Sequence, residues 1–363
     1  MGQHTMKPKV AVIFNPSKDA DWSTTKQIVS DQAQRANYSE PEWIPTTAED
    51  PGTGQTRKAI EQGVQLVIAA GGDGTVRLVA GELVGKRTRL GILPMGTGNI
   101  FARNMGIPVD SVAEAAAIAF GASEKRVDLG WVELSDMKTP GQHLHFRPLP
   151  AQTERHSSYG EHSEPRLHFG RTATSAPAHN SRHPFLVVGG VGFDAETMAD
   201  TDATLKKVIG ILAYFQAAIP NLLSRKFSAT ITAPNLSRAV TTSVRSVMFV
   251  NCPELNNGIT LDPSADPADG VLNLNVLDIH GGLIGWADLL RRIVMSWAGL
   301  RSRTKGAPYK KGVGGIRTHA IQRCRVALER PHTVQVDGDV IGSAHIITVY
   351  VDSWAVWVRV PQS

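Results

Sequence analysis

The stretch Gln65–Asn104, QLVIAAGGDGTVRLVAGELVGKRTRLGILPMGTGNIFARN, places two glycine-rich turns directly behind two short apolar runs. A buried strand that ends in GGDGT and continues into a helical pattern presents unpaired backbone N–H groups at a helix start, where the dipole and the free donors favour phosphate. Gly71, Gly72 and Gly74 let that backbone approach a polyphosphate without a Cβ in the way. The turn is no P-loop, because no Lys-Ser/Thr pair follows, and its spacing is not that of the dinucleotide fingerprint. Asp73 at its tip would repel phosphate unless it holds the accompanying metal or accepts a proton from an attacking group. The bland alternative is a tight turn with an aspartate cap. The second turn, with Thr97, Gly98 and Asn99, follows a strand in the same way, and two such loops at strand C-termini of a parallel sheet line one crevice.

Outward from these turns the first third alternates strand and helix signals. KVAVIF before Asn15 and Pro16 reads as a buried strand, TKQIVSDQAQRA as a helix, PEWIPTT as a short strand and TGQTRKAIEQG as a second helix. SVAEAAAIAF reads as a helix capped by Ser111, with Glu114 completing a capping box. Alternation of this kind predicts an α/β domain around a mostly parallel sheet, ending near Asp128. Beyond it KRVDLGWVEL, FLVVGGVGF, KFSATITA, SVRSVMFVN, GVLNLNVL, CRVALE, HTVQVDGD and HIITVYVDSWAVWVRV read as strands of a sandwich or open barrel. The chain is thus expected to divide into residues 1–128 and 129–363. Between Ser135 and Pro184 a His-, Pro-, Ser- and Arg-rich segment shows no apolar periodicity and reads as an insertion without a metal-ligand pattern.

Composition sets outer bounds. With 363 residues, 42% hydrophobic and 20% charged, two folded units fit the chain. No apolar run reaches the roughly 18–20 residues of a membrane-spanning helix, and MGQHTMKPKV has no secretory core, so a cytoplasmic protein is expected. Cys252 and Cys324, the two cysteines, read as structural thiols. A net charge of +5 suits an anionic partner, either nucleotide or membrane surface. Nucleic acid is disfavoured, because no binding motif is present and the basic residues are dispersed.

GGDGTV and LGILPMGTGNIFARN, preceded by FNPS and joined later by GGVGFDAE and VQVDGDV, resemble the diacylglycerol kinase catalytic-domain family, which includes sphingosine and ceramide kinases and bacterial lipid kinases. The resemblance implies an N-terminal domain like that of NAD kinases, a C-terminal antiparallel β-sandwich, and an ATP- and Mg²⁺-dependent lipid kinase. Diacylglycerol is the acceptor it implies first, giving phosphatidate, and a sphingosine-type amino alcohol second. A soluble NAD kinase stays open as a reading of the N-terminal half, and a catalytically silent binding module as a third. The resemblance puts Asp73 at the phosphoryl-transfer site and nucleotide contacts at Asn15, Pro16, Thr47, Gly71, Gly72, Gly74, Thr75, Thr97, Gly98 and Asn99. It aligns Asp337 and Asp339 with acidic cleft positions, the second shorter by a methylene than the family's usual Glu; as a local pattern, DGD is also a hairpin turn. It likens DPSADPADGVLNLNV to a magnesium-holding segment, with Asp266, Asp269 and the Val271 carbonyl as hard oxygen ligands. Asp194 would face the cleft or cap a helix. Helical stretches around Leu205–Lys226 and Leu283–Arg303 carry apolar stripes with basic ends, either core-facing or suited to an anionic membrane at the inner face of the cell membrane. The same reading admits a homodimer.

Overall fold

The computed structural model describes residues 7–135, 182–192, 226–234, 236, 238–255, 260–279 and 314–362. Most of the His-rich segment, Asp194 and both basic-ended helical stretches lie outside the described residues. Four parallel strands open the chain: β1 (Val10–Phe14), β2 (Glu42–Pro45), β3 (Leu66–Gly71) and β4 (Arg89–Pro94), in spatial order β2-β1-β3-β4. Helices α1 (Trp22–Arg35), α2 (Thr53–Glu61), α3 (Asp73–Leu83), α4 (Ile100–Asn104) and α5 (Val112–Ala119) accompany them. Every residue of β3 is buried, as expected of a central parallel strand covered on both faces. Asp21 caps α1 by accepting from Thr24 N, and Ser111 caps α5 by accepting from Glu114 N. Ala115, Ala116 and Ala119 form the buried face of α5.

The remaining strands are β5 (Glu124–Ser135), β6 (Arg182–Phe185), β7 (Val188–Val191), β8 (Phe227–Thr232), β9 (Val240–Val244), β10 (Ser246–Val250), β11 (Leu272–Ile279), β12 (Gly314–Ile321), β13 (Arg323–Val336) and β14 (Asp339–Arg359). Among the described residues they pair antiparallel with one another and join the parallel part in one 14-stranded mixed sheet. The join is β14. It pairs antiparallel with β13 and β5, while Trp357 and Val358 run parallel to Arg89 and Leu90 of β4. Strand β5 passes through Asp128 without a break.

Four segments read as single strands behave differently. FLVVGGVGF starts on the last residue of β6, Phe185, and resumes as β7 at Val188, because the backbone bends at Leu186 and Val187 to present amides to a distant carboxylate. SVRSVMFVN divides at Arg245 into the ends of β9 and β10, with Ser246 buried and its hydroxyl donating to Val191 O at 3.0 Å. CRVALE and the HTVQV of HTVQVDGD are instead parts of one strand, β13, irregular between Ala327 and His332, with Asp337 and Gly338 beyond its end. Both cysteines are free and buried, and burial pushes the Cys324 thiol up to about 12. That is the state of packed, unreactive thiols. Among the described residues no helix is long and apolar enough to cross a membrane.

Candidate active site

The two glycine turns meet backbone to backbone. Met95 N donates to Gly71 O at 2.9 Å, and a Cβ built on Gly96 would lie 2.6 Å from the Gly72 Cα. No side chain fits there, so glycine is required at the crossing for space and not for backbone angle. Asn99 adopts a left-handed conformation, φ 49°, which asparagine tolerates. Its side chain accepts from Gly96 N at 2.9 Å and donates to Gly96 O at 2.8 Å, so the second turn is closed by its own amide. Thr97 is left exposed at the tip, and Gly98 O accepts from Arg103 Nε at 3.2 Å.

Asp73 is the first residue of α3, and its Oδ1 accepts from Phe101 N, near the start of α4, at 3.3 Å. The tip aspartate of one turn therefore holds the helix that follows the other. Burial raises the Asp73 carboxyl above the ordinary aspartate range, against the pull of the Phe101, Ile100 and Asn99 amides. Such a group is a better proton acceptor than an ordinary surface aspartate.

Asp337 and Asp339 arrive at the turns through a hairpin. Asp337 and Gly338 have φ of 48° and 90° and link Val336 to its cross-strand partner Asp339, as a two-residue turn with both central residues left-handed does. The hairpin reading of DGD and the cleft reading are thus compatible. Asp337 turns inward: Oδ2 accepts from Leu186 N at 2.8 Å, and Oδ1 from Val187 N and Val188 N at 2.9 Å each. Burial lifts its carboxyl to about 6 although the Arg77 charge and these amides oppose it. Both oxygens are occupied, so Asp337 shapes the β6–β7 bend. Asp339 turns outward, its side chain 58% exposed, and its Oδ2 lies 3.2 Å from where a Cβ on Gly74 would stand.

Residues 9–132 match the family model described as the diacylglycerol kinase catalytic domain. That segment belongs to the diacylglycerol kinase catalytic-domain family. The diacylglycerol kinase of Bacillus subtilis (strain 168) is 32% identical over 127 residues, 34% of this chain and 42% of that protein. The match therefore spans about two fifths of this relative's length. A protein of Stenotrophomonas maltophilia named "Probable lipid kinase YegS-like" is 26% identical over 294 residues, 78% of this chain and 74% of its own. A crystal structure of a diacylglycerol kinase from Bacillus anthracis str. Sterne superposes with a TM-score of 0.64 over 97% of both chains at 20% identity, which establishes a shared fold.

Within the catalytic-domain segment, the remaining positions expected to contact nucleotide line the same end of the parallel sheet. Asn15 and Pro16 follow β1. Asn15 Oδ1 accepts from Ser17 N at 3.0 Å and Ser17 Oγ at 2.7 Å, folding the FNPS corner on itself. Thr47, beyond β2, accepts from Asp50 N at 3.1 Å. The buried Thr75 hydroxyl covers Gly71, where a Cβ would lie 2.6 Å from Oγ1. Lys18, which motif reading passed over, has Nζ 3.8 Å from the Cβ position of Gly72 and supplies a cation beside the turn.

The segment likened to a magnesium site lies beyond the catalytic-domain segment, packed on β5. Asp266 Oδ1 accepts from Ala268 N at 3.0 Å and pairs with Lys125 Nζ at 3.4 Å, and Asp269 Oδ1 accepts from Val271 N at 3.1 Å. Burial and then the Asp266 charge raise the Asp269 carboxyl. Asp128, read in the sequence only as a boundary, is fully buried there; Oδ2 accepts from Gly270 N at 2.7 Å and Oδ1 from Trp354 N at 2.6 Å. Among the described residues no three His, Cys, Asp or Glu side chains are arranged as a metal cage. Two crowded carboxylates, each with an oxygen outside these hydrogen bonds, are a donor set that fits a hard divalent cation completed by carbonyl and water.

Proposed function

We propose that the protein is an ATP-dependent lipid kinase that transfers the γ-phosphoryl group to the hydroxyl of diacylglycerol, giving phosphatidate. The observation that carries this reading is the meeting of Gly72 with Gly96 beside a lysine, Lys18, with an exposed carboxylate, Asp339, at Gly74 of the same turn. Amides of the turns and Lys18 would hold the phosphates, with Asn15, Pro16 and Thr47 toward the nucleoside. The acceptor oxygen forms its bond to the γ-phosphorus as the bond to the β–γ bridging oxygen breaks and ADP leaves. Asp73 takes the hydroxyl proton and Asp339 orients the acceptor. Magnesium at the phosphates would neutralise charge developing on the leaving group, and a second ion fits Asp266, Asp269 and the Val271 carbonyl. In this reading residues 1–128 bind nucleotide, and the sandwich-like unit 129–363 offers the lipid from an anionic inner membrane surface, as monomer or homodimer.

The test is product analysis with the full chain, γ-labelled ATP and vesicles containing diacylglycerol, with sphingosine and NAD in parallel reactions. Label in phosphatidate is expected; label in phosphorylated sphingosine would replace the acceptor, and label in NADP alone would overturn the lipid reading. Gly96→Ala checks the nucleotide half by calorimetry. Forcing a methyl against the Gly72 backbone costs on the order of 1–3 kcal/mol, so ATP should bind about tenfold or more weakly while the chain stays folded. Unchanged affinity would detach the glycine crossing from nucleotide binding.

A further inference from the structure

We infer that Arg77 is a positioning residue for phosphoryl transfer, clamping the Asp339 carboxylate against the first glycine turn. The inference rests on the kinase reading above and names a residue that no motif brought forward. Arg77 stands four positions after Asp73 on α3, so one helix carries both the tip carboxylate and this guanidinium on neighbouring positions of one face. Its side chain is 7% exposed, whereas that of Asp339 is 58% exposed. The charge pair is therefore directed, with its cation underneath and its anion at the surface.

Three separate pieces of chain converge on this guanidinium. Nη2 lies 2.6 Å from Asp339 Oδ2, across 262 positions of sequence, and Nη1 donates to Pro184 O at 3.3 Å, across 107. Its charge also reaches Asp337, the carboxylate that seats Leu186, Val187 and Val188, and His183 beside Pro184. Helix α3, strand β6 and the β13–β14 hairpin are thus tied at one point. Oδ2 of Asp339 takes the Arg77 hydrogen bond, and among the described residues no hydrogen bond engages Oδ1, which can face a substrate hydroxyl. An aspartate has one methylene to its carboxyl, so an exposed one is placed by whatever grips it. Here that grip is a buried planar donor, which holds direction better than a point charge on a flexible stem. Arg77 Nε is buried with no hydrogen-bond partner among the described residues, so two of the guanidinium nitrogens carry the clamp.

The experiment compares the full chain with Arg77→Lys, Arg77→Gln, Asp339→Asn and the double variant Arg77→Gln/Asp339→Asn. Misplacing a substrate-orienting group by about an ångström costs up to a hundredfold. Arg77→Gln should therefore lower kcat/KM for the lipid about ten- to a hundredfold, with KM for ATP within about twofold of wild type and part of the loss restored by Arg77→Lys. Because Arg77 acts through Asp339, the double variant should be no slower than Asp339→Asn alone. Multiplicative losses, or an Arg77→Gln loss that follows the melting temperature only, would overturn the inference. If the wild-type chain phosphorylates no lipid, the kinase reading falls by itself. Crystal structures then decide the clamp: Asp339 should stay at Gly74 in Arg77→Lys and leave it in Arg77→Gln, and an unmoved Asp339 in the glutamine variant sinks the idea.

Discussion

Asp73→Asn is expected to lower kcat by about a hundredfold or more while leaving the melting temperature close to that of wild type. The substitution is nearly isosteric, and the asparagine oxygen can still accept from Phe101 N, so the bridge from α3 to α4 survives. What goes is the proton-accepting charge, whose removal typically costs a hundredfold or more, against at most about 2 kcal/mol for a charge lost at a partly buried helix start. The pH profile separates the two roles. Burial raises the Asp73 carboxyl above its ordinary 3.8, and the ionised form is the working base. Activity should therefore fall as pH drops through a midpoint above that value, and the limb should vanish in the variant. Activity above about a tenth of wild type would leave Asp73 as a bridge between turns and nothing more.

Asp337→Ala should be the most damaging single change to stability among the acidic positions. It orphans the amides of Leu186, Val187 and Val188 and removes a charge opposite Arg77; breaking a buried charged cluster in this way costs on the order of 3–5 kcal/mol. The sign of its pH dependence follows from the raised carboxyl. The folded-state value of about 6 lies above the ordinary 3.8, so the folded chain holds this proton more tightly than the unfolded chain does. The protonated group's contribution is complete below the unfolded value and is lost as pH rises through about 6. The gap between wild type and variant should thus widen from pH 7 to pH 5 by on the order of 1 kcal/mol. Denaturant titrations of both proteins at the two pH values measure it, and a gap that is equal or narrower at pH 5 would show that the carboxyl titrates like one in water.

Much of the N-terminal fold is legible in the sequence because local pattern and tertiary environment agree there. RLGILP and QLVIAA match β4 and β3 to within a residue at each end, since both are apolar runs closed by turns and buried as such. The glycine turns are legible for the same reason: close backbone approach leaves glycine as its signature. What stayed hidden depends on partners far along the chain. Nothing in FLVVGGVGF announces a bend, because its cause is a carboxylate about 150 residues away. Nothing in GTVRLV marks Arg77, since a buried arginine looks like a solvated one until its partner is known. Strand β12, GGIRTHAI, lacks the alternation that reveals a strand and is recruited by pairing with β11. Asp128 and Trp354, which has φ of 50°, look ordinary until the chain brings them into contact.

The return of β14 to β4 bears on how the polypeptide acquires its shape during synthesis. Arg89 leaves the ribosome long before Trp357, its neighbour in the finished sheet, and Ala355 O must also wait to receive Gly85 N. Until then one side of β4 offers unpaired amides and carbonyls, an open template for whatever extended chain comes near. Contacts of such long loop closure are slow to form. A nascent or truncated chain ending before β14 would present this bare edge to its copies, so proteolytic loss of residues 355–359 would be felt first as self-association through the N-terminal strands.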